Sequence, residues 1–386
     1  MELIYLLYTF ILKIGILLFV FTYGYLKRSS YLISNTKFIL LFIVHFAMCV
    51  ISWMLSKDSS DAITYYNTAL ASTSWLSLFG TGASFIKFII YPFVKYLKFD
   101  FLLLFILFSS ISFYGFLICN KILMKLKSSK PISILGVNVA TIILFLPGFH
   151  LWTSPMGKDS LTLYLTMALF YKMIFLNKQK IISVILIIVA LFFIRFYIIV
   201  YLFLGLTLYY AINALKKTKY FLWFTGFIIV ITAAYFIAKY KFNIDVFEYI
   251  ENKLNFVTKY AVRKIDLGSY INPKDYNILQ KIIIYLFGPD LISAQNLIQR
   301  YVALENILLL IIIIKGAFSF SFSQVFKNVT MTILFFYSAI FLFVNAYFIY
   351  NLGLANRQKF MIIPVIIIIL TYSNLKKQSF KPNEYK

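Results

Sequence analysis

Apolar residues fill this chain in long blocks, each closed by a short polar stretch in which lysine predominates. A helix rises 1.5 Å per residue, so about 20 apolar residues cross a hydrocarbon core roughly 30 Å thick. Blocks near 4–25, 38–55, 100–120, 131–149, 160–176, 181–194, 196–214, 220–238, 303–318, 329–350 and 360–374 therefore predict about eleven crossings. The expected fold is an all-α, polytopic integral membrane protein, with residues 1–386 forming one membrane domain. The first block, Leu3 to Tyr25, lacks a cationic leader and a small-residue cleavage site and carries Lys13 within it, so it reads as a retained helix.

Two stretches are longer than ordinary connections. Residues 56–99 open with SKDSSDAITYYNTA and continue as ASFIKFIIYPFVKYLKF, apolar but interrupted by Lys87, Pro92, Lys95 and Lys98, which predicts an interfacial or re-entrant helix pair. Residues 239–302 hold the amphipathic FEYIENKLNFVTKYAVRKI and the strip IIIYLF, ended by Gly288 and Pro289, and predict helices lying on the membrane as a lid. No internal repeat is evident, so an inverted-repeat transporter fold gains no support.

The formal net charge of +24 is explained by topology rather than by nucleic acid, because only 13% of residues are charged and they sit at block ends. With Lys27 and Arg28 in the cytoplasm, alternation places Lys121, Lys125, Lys127, Lys130, Lys178, Lys180, Lys216, Lys217, Lys219, Lys327, Lys376 and Lys377 there too. The N-terminus is then outside and the tail KKQSFKPNEYK inside. Of the 13 acidic residues only Glu384 falls on the cytoplasmic side, so the outer face, including the loops 56–99 and 239–302, carries the polar chemistry.

The arginines are few: 5 against 32 lysines, with Arg195, Arg263, Arg300 and Arg357 on the outer side. A planar guanidinium grips phosphate or carboxylate with two hydrogen bonds, which an ammonium cannot do. Arg263 beside Asp266 reads as a surface ion pair. Arg195 and Arg357 read as functional: Ile181 to Ile194 gives roughly 21 Å of helix, too short to span, so Arg195 lies below the outer surface facing protein or water. Arg357 falls in a tight loop between two crossings.

PGFHLWTSPMGKDS, residues 147–160, cannot form a continuous helix across Pro147, Pro155 and Gly157, and is expected to dip into the bundle. It brings His150, Lys158 and Asp159 onto one segment; capping explains Asp159 as well as catalysis does, and a satisfied histidine is an equal alternative to a proton carrier at His150. In the 56–69 island, Asp61 is the preferred carboxylate, with Tyr65 and Tyr66 at helical spacing to stack on sugar; a solvated loop with Ser60 or Asp61 starting a helix is the plain alternative. Glu305 can pair with Arg300 or Arg357, or act chemically. Cys49 and Cys119 lie inside apolar blocks and read as small buried thiols. Two histidines and no cysteine cluster exclude a histidine-rich metal site; no cofactor is expected, and carboxylate-bound Mg²⁺ or Mn²⁺ stays open.

Asp61-Ala-Ile-Thr-Tyr65-Tyr66 resembles the acidic motif of GT-C polyprenyl-phosphate-dependent glycosyltransferases. The series PGFHLWTSPMGKDSL, FFIRFY, FGPDLISAQN with ALENILLL, and YNLGLANRQKFMIIPV resembles the O-antigen polymerases and related capsule polymerases of bacterial surface-polysaccharide clusters. The resemblance implies an inner-membrane enzyme joining oligosaccharide units on undecaprenyl pyrophosphate at the outer face, with a chain-length regulator as a further partner. It implies that Arg195 and Arg357 hold pyrophosphates, helped by Arg300 and Lys158, and that Asp61, Asp159 or His150 acts as base. A single-sugar GT-C transferase and a lipid-linked sugar flippase are the rival readings.

Overall fold

The computed structural model describes residues 2–58, 60–126, 132–175, 181–214, 246–264 and 269–374, with 221, 222, 225, 226, 228, 229, 232 and 239. The block 220–238 lies largely outside them, as do Asp245, Asp266, Glu384 and the loop and tail lysines Lys127, Lys130, Lys178, Lys180, Lys216, Lys217, Lys219, Lys376 and Lys377. The chain divides into two compact units, one of residues 1–199 with the tail from Asn374 and one of 200–373.

The first unit holds α1 (Glu2–Leu26), α2 (Asn35–Ser56), α3 (Asp61–Ala71), α4 (Ala83–Lys95), α5 (Phe101–Lys125), α6 (Val139–Leu144), α7 (Pro147–Thr153), α8 (Lys158–Phe175) and the first part of α9 (Ile181–Ala214). The second holds α10 (Val246–Val262), α11 (Ile278–Phe287), α12 (Leu297–Phe318), α13 (Phe322–Lys327), α14 (Val329–Tyr347) and α15 (Leu352–Ser373). Among the described residues, 7 helices are long and apolar enough to cross a membrane: α1, α2, α5, α9, α12, α14 and α15. The protein is thus all-α and polytopic, as its apolar blocks predict.

The blocks map unevenly onto these helices. The expected crossing at 131–149 is not one helix. A two-residue hairpin pairs Ser133–Ile134 with Val137–Asn138, turning at Leu135 and Gly136, both with positive φ. Then come two short helices parted at Pro147, whose ring and missing N–H stop α6 from continuing and suit the first position of α7. Blocks 181–194 and 196–214 are joined in α9, whose backbone leaves helical geometry at one residue, Arg195 (φ −150°, ψ 75°).

In the first unit α5 is the central helix. Gly115 lets it approach α8 so closely that a Cβ there would meet the Tyr164 backbone nitrogen at 3.0 Å. Ser112 and Cys119, three residues before and four after Gly115, lie on the same side, and such small residues are what lets helix backbones pack in lipid. The expected helix pair of the first loop is present as α3 and α4. Ser60 caps α3 by accepting from the Ile63 N–H, and Asp61 sits in its first turn. α4 starts at Gly82, whose φ of 64° suits glycine and whose N–H donates to the Phe193 carbonyl at 2.7 Å.

In the second unit α11 begins with a capping box of Asn277 and Gln280, and α15 is the most enclosed long helix. Its start is fixed by Asn351, whose side chain accepts from the Leu354 N–H, and by the Leu352 N–H donating to Ser269 O.

Replacing Gly115 with valine forces α5 and α8 apart. The variant should lose about 1–3 kcal/mol of stability and melt earlier in nanodiscs than Gly15→Val, a position where a Cβ meets no atom within 4 Å.

Candidate functional site

The loop after α7 turns at Pro155 and Gly157, and Ser160 Oγ donates back to Gly157 O at 2.9 Å, so α8 opens with Lys158 and Asp159 in its first turn. An N-terminal carboxylate is favoured there by the helix dipole. Asp159 pairs with Arg195, which stands at the break in α9 and also donates to the Tyr197 hydroxyl. Both charged side chains are 8% exposed, so the pair is desolvated.

The break has a structural support. Leaving helical geometry at Arg195 frees the Phe193 carbonyl from the usual helical ladder, and the Gly82 N–H takes it. Phe85 stacks on Phe193 at 5.0 Å, so the start of α4 braces the segment that presents Arg195. At the other ends of the same two helices, Lys172 Nζ donates to Ser183 Oγ at 2.7 Å. The two contacts lie about 18–20 Å apart along both helices, which makes α8 and α9 antiparallel and puts the ion pair about 21 Å of helix from Ile181.

The first unit also holds an open apolar cavity of about 640 Å³, lined among others by Tyr23, Ile89, Tyr114, Tyr164, Leu161 and Ile194. Leu161 follows Asp159 by two residues and Ile194 precedes Arg195, so the lining comes from the same helix segments as the ion pair, although neither charged side chain lines the cavity itself. Sites of this size and lining take ligands with large apolar parts.

His150 is fully buried and meets the chain's second histidine. Its Nδ1 lies 2.9 Å from Nδ1 of His45 in α2, and its Nε2 lies 2.8 Å from Leu144 O. Lys158 is half-buried and lies one residue before Asp159. Asp61 is exposed at the start of α3. Tyr65 is buried at 5% exposure, and Tyr66 donates to Phe99 O at 3.3 Å with its ring against Phe101, so both tyrosines pack against protein rather than lying open to stack on a sugar. Burial, with Tyr5 and Asp100 nearby, raises the Tyr66 hydroxyl above its ordinary value.

Arg300, Glu305 and Arg357 belong to the second unit. Arg300 is exposed in the first turns of α12, and the Tyr301 hydroxyl donates to Glu305 at 3.0 Å. Arg357 is not in a tight loop: α15 starts at Leu352 and carries it inside the helix, because Asn351 supplies the cap. That earlier start also brings in a residue the sequence reading passed over. Lys359 is 1% exposed and donates to Asn306, whose amide donates to Pro289 O at 3.1 Å. A second cavity, about 350 Å³, reaches Asn306 and has Asp290 at its rim. Backbone N–H groups of Ser293 and Ile292 donate to Asp290 and hold its carboxyl below the usual range. The signal for Lys359 was a lysine followed directly by the apolar run FMIIPV.

No protein-family model, curated protein or solved structure matches the chain. The fold and these sites define an α-helical multi-pass membrane protein with charged and histidine side chains buried among its helices.

Breaking the ion pair from one side strands the other charge. Asp159→Asn or Arg195→Met alone should cost about 3–5 kcal/mol, and the double variant less than either, measured by thermal unfolding of the purified protein in nanodiscs.

Proposed function

We propose that this chain is an integral membrane glycosyltransferase that lengthens a polysaccharide by joining oligosaccharide units carried on undecaprenyl pyrophosphate. It works at the outer face of a bacterial inner membrane, with the N-terminus outside and the C-terminal tail in the cytoplasm, as the lysine distribution suggests. One combination carries the reading: the helix segments that hold the buried Asp159–Arg195 pair, which suits a lipid carrier's anionic head, also line an open apolar cavity that suits its polyprenyl chain.

The chemistry follows from that pairing. In the resting protein Arg195 is held by Asp159. A donor pyrophosphate competes for the guanidinium, and the carboxylate it displaces is then able to take the acceptor's hydroxyl proton. The acceptor oxygen bonds to the anomeric carbon as the carbon–oxygen bond to pyrophosphate breaks, and the electron pair leaves on the phosphate that Arg195 stabilises. Lys158 adds positive charge at the same end of α8. Asp61, exposed on α3, is the alternative base.

The flippase reading is favoured by a different observation, the burial of Lys359 and of His45 well inside long apolar helices, where ionisable groups commonly mark transport paths. A single-sugar transferase would share the Arg195 site.

The test is glycan ladder analysis in a strain lacking the chain and complemented with variants. Arg195→Ala and Asp159→Asn should each reduce long chains by about 100-fold or more while single units still appear at the surface; Arg357→Ala and Glu305→Gln report on the second unit. Ladders of normal length from both first-unit variants would end the proposal. Loss of even single surface units would move the assignment to the flippase.

A further inference from the structure

His45 and His150 are the chain's 2 histidines, they come from positions 105 apart, and both are fully buried. His45 lies about 15 Å of helix from either end of α2. We propose that the two rings form a binding site for a single proton, shared between their facing Nδ1 atoms, with the Ser112 hydroxyl as the donor that turns when the proton leaves. This proposal is independent of the glycosyl-transfer reading.

The argument is a count of hydrogens. The Nδ1 atoms are 2.9 Å apart, a separation that accommodates one hydrogen between them and not two. His45 Nε2 is 2.9 Å from Ser109 O, and His150 Nε2 is 2.8 Å from Leu144 O. Carbonyls only accept, so each Nε2 carries a hydrogen when those bonds are made. That requires three hydrogens on two rings, one more than a neutral pair holds. The third is the bound proton.

Its departure has a built-in answer. Ser112 Oγ lies 3.0 Å from Ser109 O and 3.1 Å from His45 Nε2. With the proton bound, Ser112 donates to Ser109 O. Once it leaves, His45 keeps its hydrogen on Nδ1, its Nε2 becomes bare, and Ser112 turns to donate to that nitrogen. A fourth hydrogen has no place, because it would set two N–H groups against each other across 2.9 Å.

Burial opposes a charge at this depth. The carbonyls offset part of that cost, and so does Phe116, which stacks on His150 at 4.2 Å and meets His45 edge-on at 5.3 Å. On α2 the other titratable group here is the Cys49 thiol, buried near Ser109. The charged groups of the packed helices are engaged elsewhere: Lys37 with Thr141 of α6, Lys57 over Trp53, Lys121 over Tyr31 and Tyr171, and Lys125 over Tyr171 and Phe175. On α1 Lys13 pairs with Asp100, on α8 Asp159 pairs with Arg195 and Lys172 bonds Ser183, Asp61 of α3 is exposed, and Lys158 stands at the start of α8. The proton therefore changes the bond between His45 and α5, while the Nδ1 bond holds α2 to α7 with or without it, and α7 leads directly into the helix that carries Asp159.

With two histidines in the chain, the experiment has no assignment problem. The full-length protein, labelled with ¹⁵N-histidine and placed in nanodiscs, is followed by solid-state NMR as pH is lowered from 9 to 5. The expected result is a rise from two to three N–H groups across the two rings, with one hydrogen common to both Nδ1 signals. Ser112→Ala should move the pH of that step, and Ser110→Ala, whose hydroxyl bonds only to Ile106 O of its own helix, should not. Four N–H groups at low pH, two throughout, or a step that ignores Ser112→Ala would each overturn the proposal.

Discussion

A guanidinium buried among apolar helices needs a counter-charge, and much of the first unit is arranged so that Arg195 has one. Its partner Asp159 stands in the first turn of α8, where the helix dipole already favours a carboxylate. Arg195 itself stands where α9 departs from helical geometry, and that departure frees the Phe193 carbonyl. The carbonyl is satisfied by Gly82, which draws the start of α4, and with it the α3–α4 hairpin, against α9. One ion pair thus couples the placement of four helices.

A second constraint is how near two helix backbones can come. Gly115 brings α5 onto α8, and serines on α5 put polar atoms where bulkier residues would have filled the space. Ser109 and Ser112 can therefore meet His45, and Ser109 Oγ reaches Ser154 O at the end of α7. Such interior polar groups survive in an apolar bundle only when bonded. The result is a buried polar seam running from the histidines toward the turn that leads into α8 and Asp159.

The long helices were legible because membrane spans are set by length and apolarity, and both are written in the chain. Arg195 was legible for a related reason, a 14-residue helical stretch ending in a charge. The 131–149 block was not, because apolar composition says nothing of where the backbone turns; Pro147 and Gly136 marked the breaks and were outweighed by their surroundings. Arg357 and Lys359 changed places for the same kind of reason. Starting α15 at the last charged residue ignored Asn351 as a cap, and the cap decides the start. His45 escaped notice altogether, since its partner lies 105 residues away and pairing between helices leaves no local pattern.

The locations of the polar groups bear on what the protein does. An enzyme of one membrane face needs its charges gathered at one level, whereas alternating access needs them near the middle of the bundle. The first unit holds two such groups: the Asp159–Arg195 pair, about 21 Å of helix from Ile181, and the histidine pair, near the middle of α2. They are not equivalent in chemistry. The ion pair presents a fork able to exchange one anion for another, while both histidines are fully buried and Phe46, Phe113 and Phe116 pack against the His45 ring. The deep pair is therefore better understood as a tie between α2, α5 and α7, adjustable where His45 meets α5, than as a site for a bulky ligand.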